Sequence, residues 1–338
     1  MAASFGCGSS VIVDSSSGGG GPSGSRSTTS AGAGASTTAS GTGTVAPSSA
    51  TSSGSGGGTP VELASGLVRP NHLVVDATSV YWLTMSGVEK VPIHGGTKVT
   101  LGSVPPANAP LSLALDGTSI YWTSGDLVMR TPIGGGPPAT LASSAPTGAI
   151  AVDAVYAYWT NQAGLAFKVS INGGNPVTLY QPPSEEFAQT LAIDATSLYW
   201  TVSNSPGGKV VRLPLSGAAP IVLNYTISPP HELVIDETHV YWADSTGDIL
   251  GVPKSGGNPI TLVAGQPGIE YLAIDDANIY WSDPNNEIMK VPIGGGTPTP
   301  VVTGQQNILS VAVDAANVYW TTGFSLGTPD GAVWKVAK

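Results

Sequence analysis

Residues 73–82 read LVVDATSVYW, and the same ten-residue pattern returns six times. It recurs as LALDGTSIYW (113–122), IAVDAVYAYW (150–159), LAIDATSLYW (191–200), LVIDETHVYW (233–242), LAIDDANIYW (272–281) and VAVDAANVYW (311–320). The Asp positions are Asp76, Asp116, Asp153, Asp194, Asp236, Asp275 and Asp314, spaced 37 to 42 residues apart. A Tyr-Trp pair begins five residues after each Asp. A fixed period of this length marks one supersecondary unit used repeatedly.

Each repeat holds four short β-rich runs. The aliphatic run ends at the Asp, and the second carries Tyr-Trp. The third is usually closed by a Gly-Gly turn, as in VPIHGG (91–96), TPIGGG (131–136), VSINGG (169–174) and VPKSGG (252–257). The fourth follows directly, as in KVTLGS (98–103) or NPITLV (258–263). No 3.6-residue period appears anywhere. Four strands in about 40 residues, repeated, define a propeller blade. The last repeat stops at its third run, VWKVAK (333–338), while an unassigned run, PVELASG (60–66), precedes the first. The expected fold is therefore all-β: a seven-bladed β-propeller over residues 60–338. Its N-terminal strand completes the last blade and removes an exposed sheet edge.

Residues 1–59 have the opposite character. From residue 14 onward they are almost entirely Ser, Gly, Thr, Ala and Pro. Such a run has too little apolar surface to offset the entropy of ordering it, so it reads as a disordered tether with a span of about 35–40 Å. The net charge of −10 argues against nucleic acid, whose phosphates must be met by Lys and Arg. It permits cations, basic proteins and neutral glycans. One cysteine, Cys7, rules out an internal disulfide and a Cys-based zinc site. No apolar run approaches the ~20 residues of a membrane span.

The Tyr-Trp pairs, mostly followed by Thr, Ser or Ala, resemble the YWTD repeat of low-density-lipoprotein-receptor-type propellers. The resemblance covers residues 60–338 and implies an extracellular binding propeller. It departs from that family in having seven repeats rather than six. The family's Asp after the third position survives only at Asp244 and Asp283. Separately, Ser4-Phe5-Gly6-Cys7 resembles the end of a bacterial lipoprotein signal, although Ser4 stands where that signal carries Leu. That resemblance implies an exported, surface-anchored chain whose only membrane attachment is a lipid on Cys7; the other reading is an incidental cysteine.

Features shared by all blades are expected to serve the fold. The Asp residues suit Asx-type turns, and the Tyr-Trp pairs suit the wedges between blades. A basic series on the third run, Lys90, Arg130, Lys168, Arg212, Lys290 and Lys335, is broken only at Gly251. It suggests snorkelling stems paired with the turn Asp residues.

Function is expected where the blades differ. Residues four and five before each Asp should ring the central mouth: Asn71 and His72 in blade one, Gln189 in blade four, His231 and Glu232 in blade five, Glu270 and Tyr271 in blade six. These are the candidate ligand-binding residues. Asp244, Asp248, Asp283 and Glu287 in nearby loops are the candidate metal ligands, with calcium the fitting ion. Glu185 and Glu186 add to one acidic sector. Three readings stay open for it. The first is a non-enzymatic surface for a protein, a glycan or a cation. The second is a metal-assisted lyase or hydrolase site built from His72, His231, Glu232 and Glu270. The third is a solvated acidic rim. No nucleophile elbow and no phosphate-cradling loop is present. The expected chain is a monomer with no obligatory cofactor.

Overall fold

A computed structural model describes residues 58–103, 110–143, 147–183, 186–204, 207–266, 268–323 and 328–338. The lipidation reading at Cys7, nearly all of the tether and Glu185 lie outside these residues. The described chain forms seven four-stranded antiparallel sheets. Six sheets follow chain order, beginning with blade one: Asn71–Val75, Ser79–Thr84, Gly87–Pro92 and Val99–Ser103. The seventh combines Ile308–Val313, Asn317–Thr322 and Gly331–Ala337 with the N-terminal strand Val61–Leu67. That strand pairs Val61 with Lys335 and Leu67 with Gly331. The innermost strand of every blade packs on the innermost strands of both neighbours, so the seven sheets close into a ring.

The Tyr-Trp spacing explains the packing. The second strand of each blade is buried along nearly its whole length, as in Ser79–Thr84, where all six residues are buried. Alternation along a strand sends Tyr and Trp to opposite faces. Each apolar cluster therefore joins the Trp of one blade to the Tyr of the blade before it. Trp122 packs with Tyr81, Trp159 with Tyr121, Trp242 with Tyr199 and Trp281 with Tyr241. Trp82 packs with Tyr319 across the ring closure. All seven repeat Trp side chains are fully buried.

The Asp residues make the expected turns and one bond more. Asp116 Oδ1 accepts from the Thr118 amide (2.7 Å), the Thr118 hydroxyl (2.8 Å) and the Ser119 amide (2.7 Å). Its Oδ2 accepts from the Tyr121 hydroxyl at 2.7 Å. The Tyr-to-Asp bond recurs in every blade at 2.7–2.9 Å. This is why the Tyr stands five residues after the Asp: a tight turn folds its ring back over the carboxylate.

The basic series behaves differently from expectation. Four of its six side chains reach across to a backbone carbonyl of the next blade and not to a turn Asp, while Lys168 lies over the Tyr156 ring of its own blade. Lys90 Nζ donates to Ile133 O (2.5 Å), Arg130 Nη1 to Ile171 O (2.7 Å) and Arg212 Nη1 to Lys254 O (3.1 Å). Lys335 Nζ donates to Ile93 O (2.6 Å) and so ties blade seven to blade one. The turn Asp residues are instead met by two other lysines. Lys254 pairs with Asp194 of the preceding blade at 2.7 Å, and Lys338 pairs with Asp275. A third-strand stem projects toward the following blade, which puts its own turn Asp out of line.

Candidate functional site

One face of the ring carries the Asp turns and the Gly-Gly turns. The other, the mouth face, carries the loops between second and third strands and the starts of the innermost strands. Six of the seven innermost strands are irregular at their start, with a register shift between Asn71 and Val74, Pro110 and Ser112, Thr147 and Ile150, Ala188 and Leu191, Pro230 and Leu233, and Ile308 and Ser310. Such bulges re-aim side chains and are over-represented at barrel rims and beside functional sites. Asn71, His72, Gln189, His231 and Glu232 fall in these bulges, whereas Glu270 and Tyr271 belong to blade six, whose inner strand has none.

His231, Glu232 and Glu270 gather where blade five meets blade six. His231 Nε2 lies 2.8 Å from Ile269 O on the blade-six side. The Glu270 carboxyl, on the exposed rim, is raised by burial and drawn back by the neighbouring His231. Glu232 is fully buried, and burial pushes its carboxyl up to about 8, against a smaller opposing pull from the Leu272 amide. It is therefore mostly protonated at neutral pH. Tyr271 is half-buried and packs against the cluster between blades six and seven. Asn71 and Gln189 are half-buried at the starts of their strands; Asn71 is in blade one, and Gln189 is in blade four, whose inner strand packs on the one that carries His231 and Glu232.

His72 stands apart in blade one. It adopts a left-handed backbone (φ 46°), uncommon for a non-glycine residue, at the bulge of its strand. Burial lowers its imidazole to about 4, so it is neutral at pH 7. Among the described residues no three His, Cys, Asp or Glu side chains come together as a metal-holding set.

Of the four loop carboxylates, Asp244 and Asp283 are occupied by their own turns, and Asp248 by the segment that follows the fourth strand of its blade. Asp244 Oδ1 accepts from the Thr246 amide (2.9 Å), the Thr246 hydroxyl (2.6 Å) and the Asp248 amide (3.2 Å). Asp248 Oδ1 accepts from the Gly265 amide at 2.8 Å. Asp283 Oδ1 accepts from the amides of Asn285 and Glu287, both at 3.0 Å. Asn161 does the same work in blade three through its side-chain oxygen. Glu186, read from sequence as part of the acidic sector, is instead buried and paired with Lys209 at 2.6 Å. A carboxylate so placed adds little to the outer field.

Sequence reasoning missed the Ile269 carbonyl and Leu272 amide, backbone groups that complete the blade-five/six slot. Its one available signal was the column four residues before the Asp. That column holds His72, Ser112, Ala149, Thr190, Tyr271 and Ser310 in the other blades and a carboxylate, Glu232, only here.

No protein-family model matches the chain, and no curated protein matches it. Solved structures share its fold. The nidogen/laminin complex matches at a TM-score of 0.54 and 19% identity, over 64% of this chain and 90% of that one. YCF48 bound to a D1 peptide matches at 0.64 and 12%, over 83% and 95%. BamB from Moraxella catarrhalis matches at 0.58 and 12%, over 83% and 98%. At these identities the likeness is one of fold alone.

Proposed function

We propose that this chain is a non-enzymatic binding module that receives a polypeptide ligand at the mouth face, on the rim of blades five and six. The observation that carries this reading is the contrast between columns. The residues repeated around the ring are used up by the fold: Asp in turns and Tyr bonds, Tyr and Trp in the wedges, most third-strand bases on neighbouring carbonyls. The blade-five/six rim instead gathers His231, Glu232 and Glu270, for which the fold has no repeated use. Rim loops on a rigid scaffold are where binding residues concentrate. Propellers of the same fold include one solved in a nidogen/laminin complex and one solved with a bound peptide, which supports a protein ligand over a glycan. We further propose that the chain works outside the cell, with residues 1–59 as its tether and Cys7 as its lipid anchor.

The test is biolayer interferometry of the full chain against basic, neutral and acidic peptide panels and a glycan array. Two variants accompany it: His231→Ala/Glu270→Gln at the rim, and His94→Ala on the opposite face. Peptide binding lost in the rim variant and kept in His94→Ala is the expected result. Glycan binding alone, or peptide binding equal in both variants, overturns the proposal.

A further inference from the structure

The repeat supplies internal controls for Glu232. In blade two, Ser112 Oγ accepts from the Ile150 amide of the next blade at 3.2 Å. In blade seven, Ser310 Oγ accepts from the Leu73 amide at 2.9 Å. In these two blades the position gives one acceptor oxygen to the next inner strand, whereas blade three closes with Ala149 there and no acceptor at all. Glu232 faces the equivalent amide, that of Leu272. It brings two oxygens, at 0% exposure, and neither has a partner in hydrogen-bond geometry among the described residues. A buried carboxyl left in this state costs stability that Ser would not. Its second oxygen is surplus to folding.

The wall over Glu232 is the least laddered of its kind. The innermost strand of blade six spans only Leu272–Ile274, against five to seven residues in the other blades. The segment before it is held to Ser282 by two long bonds, Glu270 N to Ser282 O and Ser282 N to Tyr271 O, both 3.3 Å. Gly268, at φ 45°, starts that segment. A rim stretch with so few ladder bonds opens at low free energy. The ionisable groups about the slot are His231 on the same strand, Asp244 at the end of the second strand of blade five, and Glu270 and Tyr271 on the facing segment.

We infer that this slot takes a protonated amine or guanidinium, the Lys or Arg side chain of a polypeptide ligand, whose charge replaces the proton on Glu232. The Glu232 O–H bond breaks and its proton leaves to solvent. The resulting carboxylate accepts hydrogen bonds from the ligand's N–H groups, and Glu270 attracts the cation at the opening. An organic cation brings its own donors and needs fewer protein ligands than a metal, in keeping with the absence of a metal-holding set among the described residues. The inference rests on the rim reading above and specifies the group that reading leaves open.

The test is calorimetric titration of the full chain at pH 7 in phosphate and in Tris, whose ionisation enthalpies differ. The probes are octalysine, octaarginine, a Gly/Ser peptide of equal length, and calcium alone. Either basic peptide should bind with nearly one proton released, since the free carboxyl titrates near 8. The Glu232→Ser variant installs the residue that blades two and seven carry; it should fold, lose the proton release, and bind about tenfold or more weakly, as befits a buried charge pair removed. Glu270→Gln should weaken binding a few-fold and keep the proton release. Binding without proton release, or unaltered in Glu232→Ser, overturns the inference while leaving a rim site standing. Absence of binding by both basic peptides also overturns it, and the peptide panels then decide the rim reading separately. Calcium binding lost in Glu232→Ser overturns it in favour of a metal.

Discussion

Replacing Glu232 by Gln removes a titration while keeping the size of the side chain and one carbonyl oxygen. Burial raises the native carboxyl from 4.5 to about 8. The sign follows from proton linkage. Below 4.5 the group is protonated in both folded and unfolded chains, and nothing is lost. Above it only the unfolded chain ionises, so stability falls by about 1.4 kcal/mol per pH unit until the folded group titrates as well. The loss reaches about 3 kcal/mol at pH 7 and about 5 kcal/mol above pH 8, upper values because relaxation admits water to a buried carboxylate. Glu232→Gln should therefore gain on the wild type steadily from pH 5 to pH 8.5. Any constant cost of burying the Gln amide cancels in that slope. Urea unfolding of both proteins at pH 5, 7 and 8.5, followed by tryptophan fluorescence, measures it. Stability profiles that run parallel across this range would refute the buried, protonated Glu232.

Three further outcomes follow from the fold. Asp116→Ala strands four donors and should cost about 3 kcal/mol, whereas Tyr121→Phe removes one bond and should cost about 1–2 kcal/mol, both read from denaturant midpoints. Burial alone would raise Asp194, but the Lys254 ammonium and its turn donors hold it at about 2, so its stabilisation is present above pH 4 and lost as pH falls toward 2. Lys254→Met should move acid unfolding to higher pH, as circular dichroism will register, with no change in a Lys98→Met control at the exposed Lys98–Glu89 pair. Deleting residues 1–67 removes the fourth strand of blade seven and exposes the edge Gly331–Ala337; size-exclusion chromatography should show self-association or failure to fold, and a stable monomer would contradict ring closure by this strand.

The ring was legible because it is written seven times. Periodicity, the turn Asp, the inter-blade aromatics and the displaced closing strand all follow from local pattern, and repetition averages out local exceptions. Relations between blades were harder. Lys254 and Lys338 occupy turn positions where most siblings carry Ile or Leu, so nothing in their own repeats marks them as partners of the preceding Asp. Asp244 and Asp283 read as calcium ligands because a turn acceptor and a metal ligand draw on the same residue types; only the amides around them tell the two apart. Glu232 stood out in the sequence as a carboxylate at the start of an inner strand, but its burial against blade six is a relation the local sequence does not display. Glu186 left the acidic sector for a similar reason, its partner Lys209 lying in another strand of its blade.

The closing strand also sets an order in time. Among the described strands Val61–Leu67 is made first and finds its place last, because its partner, Gly331–Ala337, is the last of them to be made. At ordinary elongation rates of about 5–20 residues per second, that interval is roughly 15–50 s. Throughout it Leu63 and Leu67, both buried in the finished protein, have nowhere to go. Six blades can assemble during synthesis, but the circle cannot. A half-made chain thus carries an unmatched strand at its leading end and an open flank at its growing end, each able to capture the other's counterpart on a neighbouring polysome.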